Sequence, residues 1–142
     1  MKQKKPKTDQ QLKEMWRKKC CTLAKKIARM RDDYKCQYCG LGEPNRHTQG
    51  SHIYSEGTNP SMSADTDNIL ALCIAHHMAG KFVKSTNFSW HGSPLEAMEW
   101  FQGKYPKRYL RLRERSRKTV VCTLKYWQDK YEELKNEIKQ YE

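Results

Sequence analysis

Two stretches decide the fold: Cys36-Gln37-Tyr38-Cys39-Gly40, and Asp67-Asn68-Ile69-Leu70-Ala71-Leu72-Cys73-Ile74-Ala75-His76-His77. The first is a Cys-x2-Cys knuckle closed by a glycine. In the second, Cys73 and His76 stand three apart at the start of a helix, so both can face one point. Zinc takes four N or S donors in a tetrahedron, and two short pairs brought together supply them. Cys36, Cys39, Cys73 and His76 are expected to form one structural Cys3His zinc site per chain. His77 shares the helix face that follows Cys73 and is the alternative fourth ligand. Cys20, Cys21 and Cys122 have no partner at metal spacing.

The rest of the composition agrees with a small metal-supported domain. The chain has 142 residues, of which 37% are hydrophobic, and a mean hydropathy of -1.05. Thin cores of this kind recruit a metal or a partner chain. The N-terminal Met1-Lys2-Gln3-Lys4-Lys5-Pro6-Lys7 is followed by no apolar stretch, so a secretory signal is not expected. The longest apolar run, Ile69 to Ala75, is too short to span a bilayer. The expected setting is cytoplasmic, where six cysteines point to metal ligands rather than disulfides.

The formal net charge is +12, and its distribution says more than the total. Residues 1–35 carry 13 basic and 4 acidic side chains, residues 36–92 carry 3 and 4, and residues 93–142 carry 12 and 8. Two positive flanks around a near-neutral centre suggest a polyanion as partner, with solvated helix faces as the plainer reading.

Thr8-Asp9-Gln10-Gln11 reads as a capping box. Leu12, Trp16, Leu23, Ile27 and Met30 follow at helical spacing, so a helix is expected to about Met30. Residues 36–72 are punctuated by Gly and Pro and suit turns and short strands, with one strand over Thr48 to Tyr54. Ile69 to Leu72 is its partner or the lead into a helix over about 74–84, where Ile74, Met78 and Phe82 share a face. Ser93-Pro94-Leu95-Glu96 starts another helix, and Pro106 ends it or marks the next turn. Val120, Leu124, Trp127, Tyr131, Leu134, Ile138 and Tyr141 form a heptad seam. It suits packing on the chain's own domain or a homodimer. The expected class is α+β in a single domain: a basic tail over 1–7, a helix over 8–33, a zinc-stabilised core over 34–92 and a basic helical region over 93–142.

The order of elements also matters. The knuckle is followed by Ser51-His52-Ile53, a glycine-containing loop, Asn68 ahead of the apolar run, then Cys73, His76 and His77. Over about residues 36–81 this resembles the HNH endonucleases, the ββα-metal or His-Me finger family, and most closely phage recombination endonucleases of the NinG/Rap kind. The resemblance implies a zinc-stabilised ββα core and hydrolysis of DNA phosphodiesters that leaves a 5′-phosphate. It implies that His52 is the general base, that Asn68 pins the loop or touches the metal, and that His77 binds a catalytic Mg or Mn. His76 takes the place of the usual fourth Cys on zinc. Many members carry a metal-binding Asp just before the base, and here that position is Ser51. Asp65 and Asp67 lie in the loop and are candidates to supply the missing oxygen, with Asp67 the one assigned to the catalytic metal. His91, in Ser89-Trp90-His91 just before the capped helix, is placed to reach the site and joins the catalytic candidates, and His47 has no role.

DNA phosphates are expected to meet Lys81 and Lys84 near the His77 helix. The densest basic run is Lys104, Lys107, Arg108, Arg111, Arg113, Arg115, Arg117 and Lys118, with Tyr105 and Tyr109 interleaved. Such contacts position a duplex without specifying sequence. By the same resemblance the substrate is duplex or branched DNA of the Holliday-junction type, in the cytoplasm of a bacterial host. The competing expectation, which Ser51 favours, is a catalytically inactive zinc-stabilised DNA-binding module; a scaffold using the heptad helix is a third.

Overall fold

The computed structural model describes residues 1–78 and 89–142, so Lys81, Lys84 and the end of the helix expected over 74–84 lie outside the described residues. Helix α1 spans Asp9–Arg31. Its start is the reciprocal capping box read from the sequence: Gln11 N donates to Thr8 Oγ1 at 3.2 Å, and Thr8 N to Gln11 Oε1 at 3.0 Å. Two short strands follow, β1 over Thr48–His52 and β2 over Ile69–Cys73, paired antiparallel with His52 opposite Ile69 and Thr48 opposite Cys73. Helix α2 covers Ile74–His77. Helices α3 (Pro94–Lys104), α4 (Pro106–Ser116) and α5 (Leu124–Glu137) complete an α+β chain of five helices and one two-stranded sheet among the described residues. None of these helices is long and apolar enough to cross a membrane.

Strand alternation sends the two faces of β2 into different cores. Ile69 joins Cys20, Ala24, Ile27 and Ala28 of α1 and Trp127 and Leu134 of α5. Leu70 and Leu72 face Trp90, Phe101 and Leu112. Every residue of β2 is consequently buried, which is why it reads as an unbroken apolar run. Part of the heptad seam packs inside the chain: Trp127, Leu134 and Ile138 join the core formed with α1, while Val120 and Tyr141 stay exposed.

The free edge of β2 is sealed by three side chains and one backbone N–H. Ala71 N donates to the Asp32 carboxylate at 2.9 Å, and Ala71 O accepts from Gln37 N at 2.9 Å. Ile69 O accepts from Arg31 at 2.6 Å and from Arg108 at 2.9 Å. An edge strand otherwise leaves unpaired polar groups. These contacts fix α1, the knuckle and α4 to one strand.

Within the described residues, helix α2 ends at His77. Met78 leaves helical geometry with φ -128° and ψ 60°. The chain returns at Trp90 and His91, whose N–H groups donate to the carbonyls of His76 at 2.7 Å and His77 at 3.1 Å. Carbonyls at a helix end need such partners, and here they come from residues far along the chain.

Trp127 is almost fully buried between α5 and α1. Trp127→Ala should cost about 3–5 kcal/mol of unfolding free energy. Val121→Ala, at a residue 77% exposed, should change it by less than about 0.5 kcal/mol. Urea unfolding of both variants checks the contrast.

Candidate metal centre and catalytic cleft

The donor atoms of Cys36, Cys39, Cys73 and His76 all lie within 4.8 Å of one another, and the group can hold a metal ion. Gly40 at φ +75° lets the knuckle turn tightly enough to aim both thiols inward. Cys73 ends β2 and caps α2, which places His76 one turn on. Cys36 Sγ lies 3.6 Å from His76 Nδ1, and Cys39 Sγ lies 3.8 Å from Cys73 Sγ. Tetrahedral zinc, with bonds near 2.3 Å to S and 2.0–2.1 Å to N, separates S from S by about 3.8 Å and S from N by about 3.6 Å. Cys73 Sγ to His76 Nδ1 is closer, at 3.1 Å. The donor set and its spacing are consistent with structural zinc.

The thiols differ in acidity. Burial pushes the Cys36 thiol up to about 11. Burial also opposes the Cys73 thiolate, but hydrogen bonds from the His76 backbone and from Arg46 outweigh it and hold Cys73 below the ordinary thiol value. Arg46 Nη1 sits 3.7 Å from Cys73 Sγ. Metal binding must therefore drive a proton from Cys36, so acid should favour release.

His77 turns the other way. Its Nδ1 lies 2.8 Å from Gln49 Oε1 and its Nε2 lies 3.1 Å from His91 Nε2. Of the two alternatives the sequence left open, His76 joins the thiols. His77 instead lines a cleft of about 530 Å³ with Lys25, His52, Glu56, Trp90 and His91. Burial, followed by the neighbouring His91 ring and Lys25, pulls His77 down to about 4, so it is neutral at pH 7.

His52 ends β1 in the same cleft. Its Nε2 is 2.7 Å from Ser63 O, which fixes the proton on that nitrogen. Its Nδ1 is 3.3 Å from Glu56 Oε1, and Glu56 is held by Arg17 at 3.2 Å. Burial keeps His52 below its ordinary value against the opposing pull of the Ser63 carbonyl and Glu56.

Two candidate residues, and Ser51 at the position before His52, do not enter this cleft. Asn68 is fully buried, and its amide is spent on the loop: Oδ1 accepts from Tyr54 N at 2.8 Å, and Nδ2 donates to Tyr54 O and Met62 O at 3.0 Å each. It anchors the segment between the strands and is buried away from the cleft. Asp67 faces α4, where its carboxylate meets Arg111 at 3.4 Å and Arg115 at 3.0 Å. Ser51, opposite Leu70 in the sheet, turns to the other face from His52 and is buried, its Oγ with no hydrogen-bond partner among the described residues. Glu56 is the carboxylate that does line the cleft. It was missed by sequence reading, although its place four residues after His52 was a signal. Gln49, three residues before His52, was missed as well.

The basic run divides in two. Arg108 is mostly buried and donates to Asp67 O at 2.6 Å as well as to Ile69 O; burial beside Arg31 pulls it down to about 10. Arg108 and Arg115, which also pairs with Asp65 at 2.8 Å, bolt α4 to the turn before β2. Lys104 donates to Gln37 O and lies over the rings of Trp100 and Tyr105. Lys107, Arg111, Arg113, Arg117 and Lys118 are exposed. His47 is on the surface, paired with Glu43 at 2.8 Å.

No protein-family model, curated protein or solved structure matches the chain.

Metal analysis should find one zinc per chain, retained in His52→Ala and lost in Cys36→Ser, which should also lose cooperative unfolding. Equal damage from the two substitutions would contradict the separation of clamp from cleft.

Proposed function

We propose that the chain is an HNH-type, metal-dependent DNA endonuclease, with Cys36, Cys39, Cys73 and His76 holding a structural zinc and His52 acting as general base. The observation that carries this reading is the pairing of His52 and His77 in one cleft, each with one ring nitrogen tied to a neutral oxygen acceptor. His52 Nε2–H donates to Ser63 O, which leaves Nδ1 as the nitrogen able to take a proton from water. Glu56, close to that nitrogen and braced by Arg17, favours the imidazolium that results. Lys25 offers its ammonium to the phosphate. A divalent cation such as Mg²⁺ or Mn²⁺ at His77 would supply positive charge to the phosphate and the leaving oxygen. Asn68 acts by position, keeping the segment that carries Glu56 and Ser63 fixed to β2.

DNA is the substrate that the charge supports. Lys104, Lys107, Arg111, Arg113, Arg117 and Lys118 contribute exposed positive charge from α3, α4 and the segment after them. They touch phosphates and carry no base code. Branched duplexes of the Holliday-junction type in phage recombination are the proposed substrates, cut with weak sequence preference and steep salt dependence. A second reading, a zinc-stabilised DNA-binding module without catalysis, is favoured by the placement of Ser51 and Asp67 outside the cleft.

Plasmid and four-way-junction DNA incubated with Mg²⁺ or Mn²⁺ separate the two. His52→Ala should lower cleavage by about 10²–10⁴-fold with zinc content and DNA binding unchanged. Binding without cleavage by the wild type, under either metal, establishes the second reading. The rate should also be flat near neutral pH and fall as His52 takes a proton, with a midpoint below its ordinary 6.5. A midpoint above that value contradicts His52 as the base.

A further inference from the structure

We propose that Tyr38 and Trp100, with Lys35 and Lys104 beside them, form a stacking platform for an unpaired base of a single DNA strand, on the Cys3His knuckle and outside the His52 cleft. Tyr38 stands between Cys36 and Cys39, on the turn that Gly40 closes at φ +75°. Its ring leans on His76, with centroids 4.7 Å apart, yet stays 41% exposed. Trp100 of α3 meets it at 5.4 Å, and Tyr105 meets Trp100 at 6.1 Å and 88°. A ring held in place this way offers its face to a base without first losing freedom, and every base has a face to offer in return.

Further observations support a nucleic-acid strand as the occupant. Tyr105 Oη donates to Gln37 Oε1 at 3.1 Å and Lys104 Nζ to Gln37 O, which ties the end of α3 to the knuckle and keeps the platform rigid. Positive charge borders the rings: Lys104 lies 5.3 Å from the Trp100 centroid, and Lys35 and Lys104 line a hollow of about 380 Å³ beside Tyr38. Lys35 is paired with the exposed Asp33 at 3.2 Å, a surface pair weak enough for a phosphate to replace it. Asp32, which also lines the hollow, is committed to Arg31 at 2.8 Å. A ring that only shielded the metal group would gain nothing from cations at its border. Base faces in a duplex are already stacked on one another, so an aromatic face with flanking cations selects an unpaired strand. The choice of DNA for that strand rests on the nuclease reading; the stacking itself does not.

A short oligothymidylate is the probe, beside a strand of the same length that lacks its bases and a duplex of that length. The zinc-loaded full chain is titrated without Mg²⁺ or Mn²⁺, so that no cleavage intervenes. The oligothymidylate should bind about 10-fold more tightly than the base-free strand. It should also quench tryptophan fluorescence, which the base-free strand should leave unchanged, and Trp100→Phe should remove that quenching. Tyr38→Leu, which keeps apolar cover over His76 and removes the ring, should lose about 10-fold for the oligothymidylate and nothing for the base-free strand or the duplex, with the zinc retained. Tyr38→Trp should restore wild-type affinity. Equal binding of the two single strands by the wild type overturns the proposal, as does a Tyr38→Leu chain that holds the oligothymidylate as tightly as the wild type. Phosphate contacts alone, or a ring that only shields the metal group, would give those results. Should Tyr38→Leu lose its zinc, the wild-type comparison of the two strands still decides. Binding that depends on Tyr38 in a chain that cuts no DNA would refute the nuclease and leave the platform standing.

Discussion

The convergence of Cys36, Cys39, Cys73 and His76 is the constraint on which the rest of the structure depends. It ties the knuckle, which is otherwise a loop after α1, to the point where β2 becomes α2. A chain with this little hydrophobic content cannot fix that junction by apolar burial alone. With His76 committed to the thiols, the next residue along the short helix must project elsewhere, and His77 enters the cleft. The clamp and the cleft are therefore two sides of one helical turn.

Strand β2 distributes the order that the clamp creates. One face closes the core with α1 and α5, and the other closes the core with α3 and α4. Its edge is held by Asp32, Gln37, Arg31 and Arg108. Arg108 illustrates how charge is divided in this molecule. Its burial is tolerated because two backbone carbonyls receive it. Arginines that looked uniform along one helix thus do two jobs, bolting α4 down and leaving a positive exterior.

Much of this was legible in the sequence because it rests on local rules. The ligand spacing, the Thr8 capping box, the Pro94 helix start and the seam of α5 each follow from periodicity or a short motif. The seam alone did not say which surface would cover it, and α1 does so within the chain. Long-range contacts were not legible. The end of α2 at His77 depends on Trp90 and His91 returning to its carbonyls. Asp65 and Asp67 looked available for a cation, yet arginines on α4 claim both. Glu56 and Gln49 carried only weak spacing signals, because their meaning depends on which ring nitrogen each histidine turns toward them.

Zinc-edge X-ray absorption on the wild type, His76→Ala and His77→Ala tests the clamp most directly. The wild type and His77→Ala should both show three sulfurs at about 2.3 Å and one nitrogen at about 2.0 Å, and only His76→Ala should lose the nitrogen. Protein that carries no zinc, or a zinc-bound nitrogen that disappears with His77 instead, would contradict the division between the two histidines from which everything else follows.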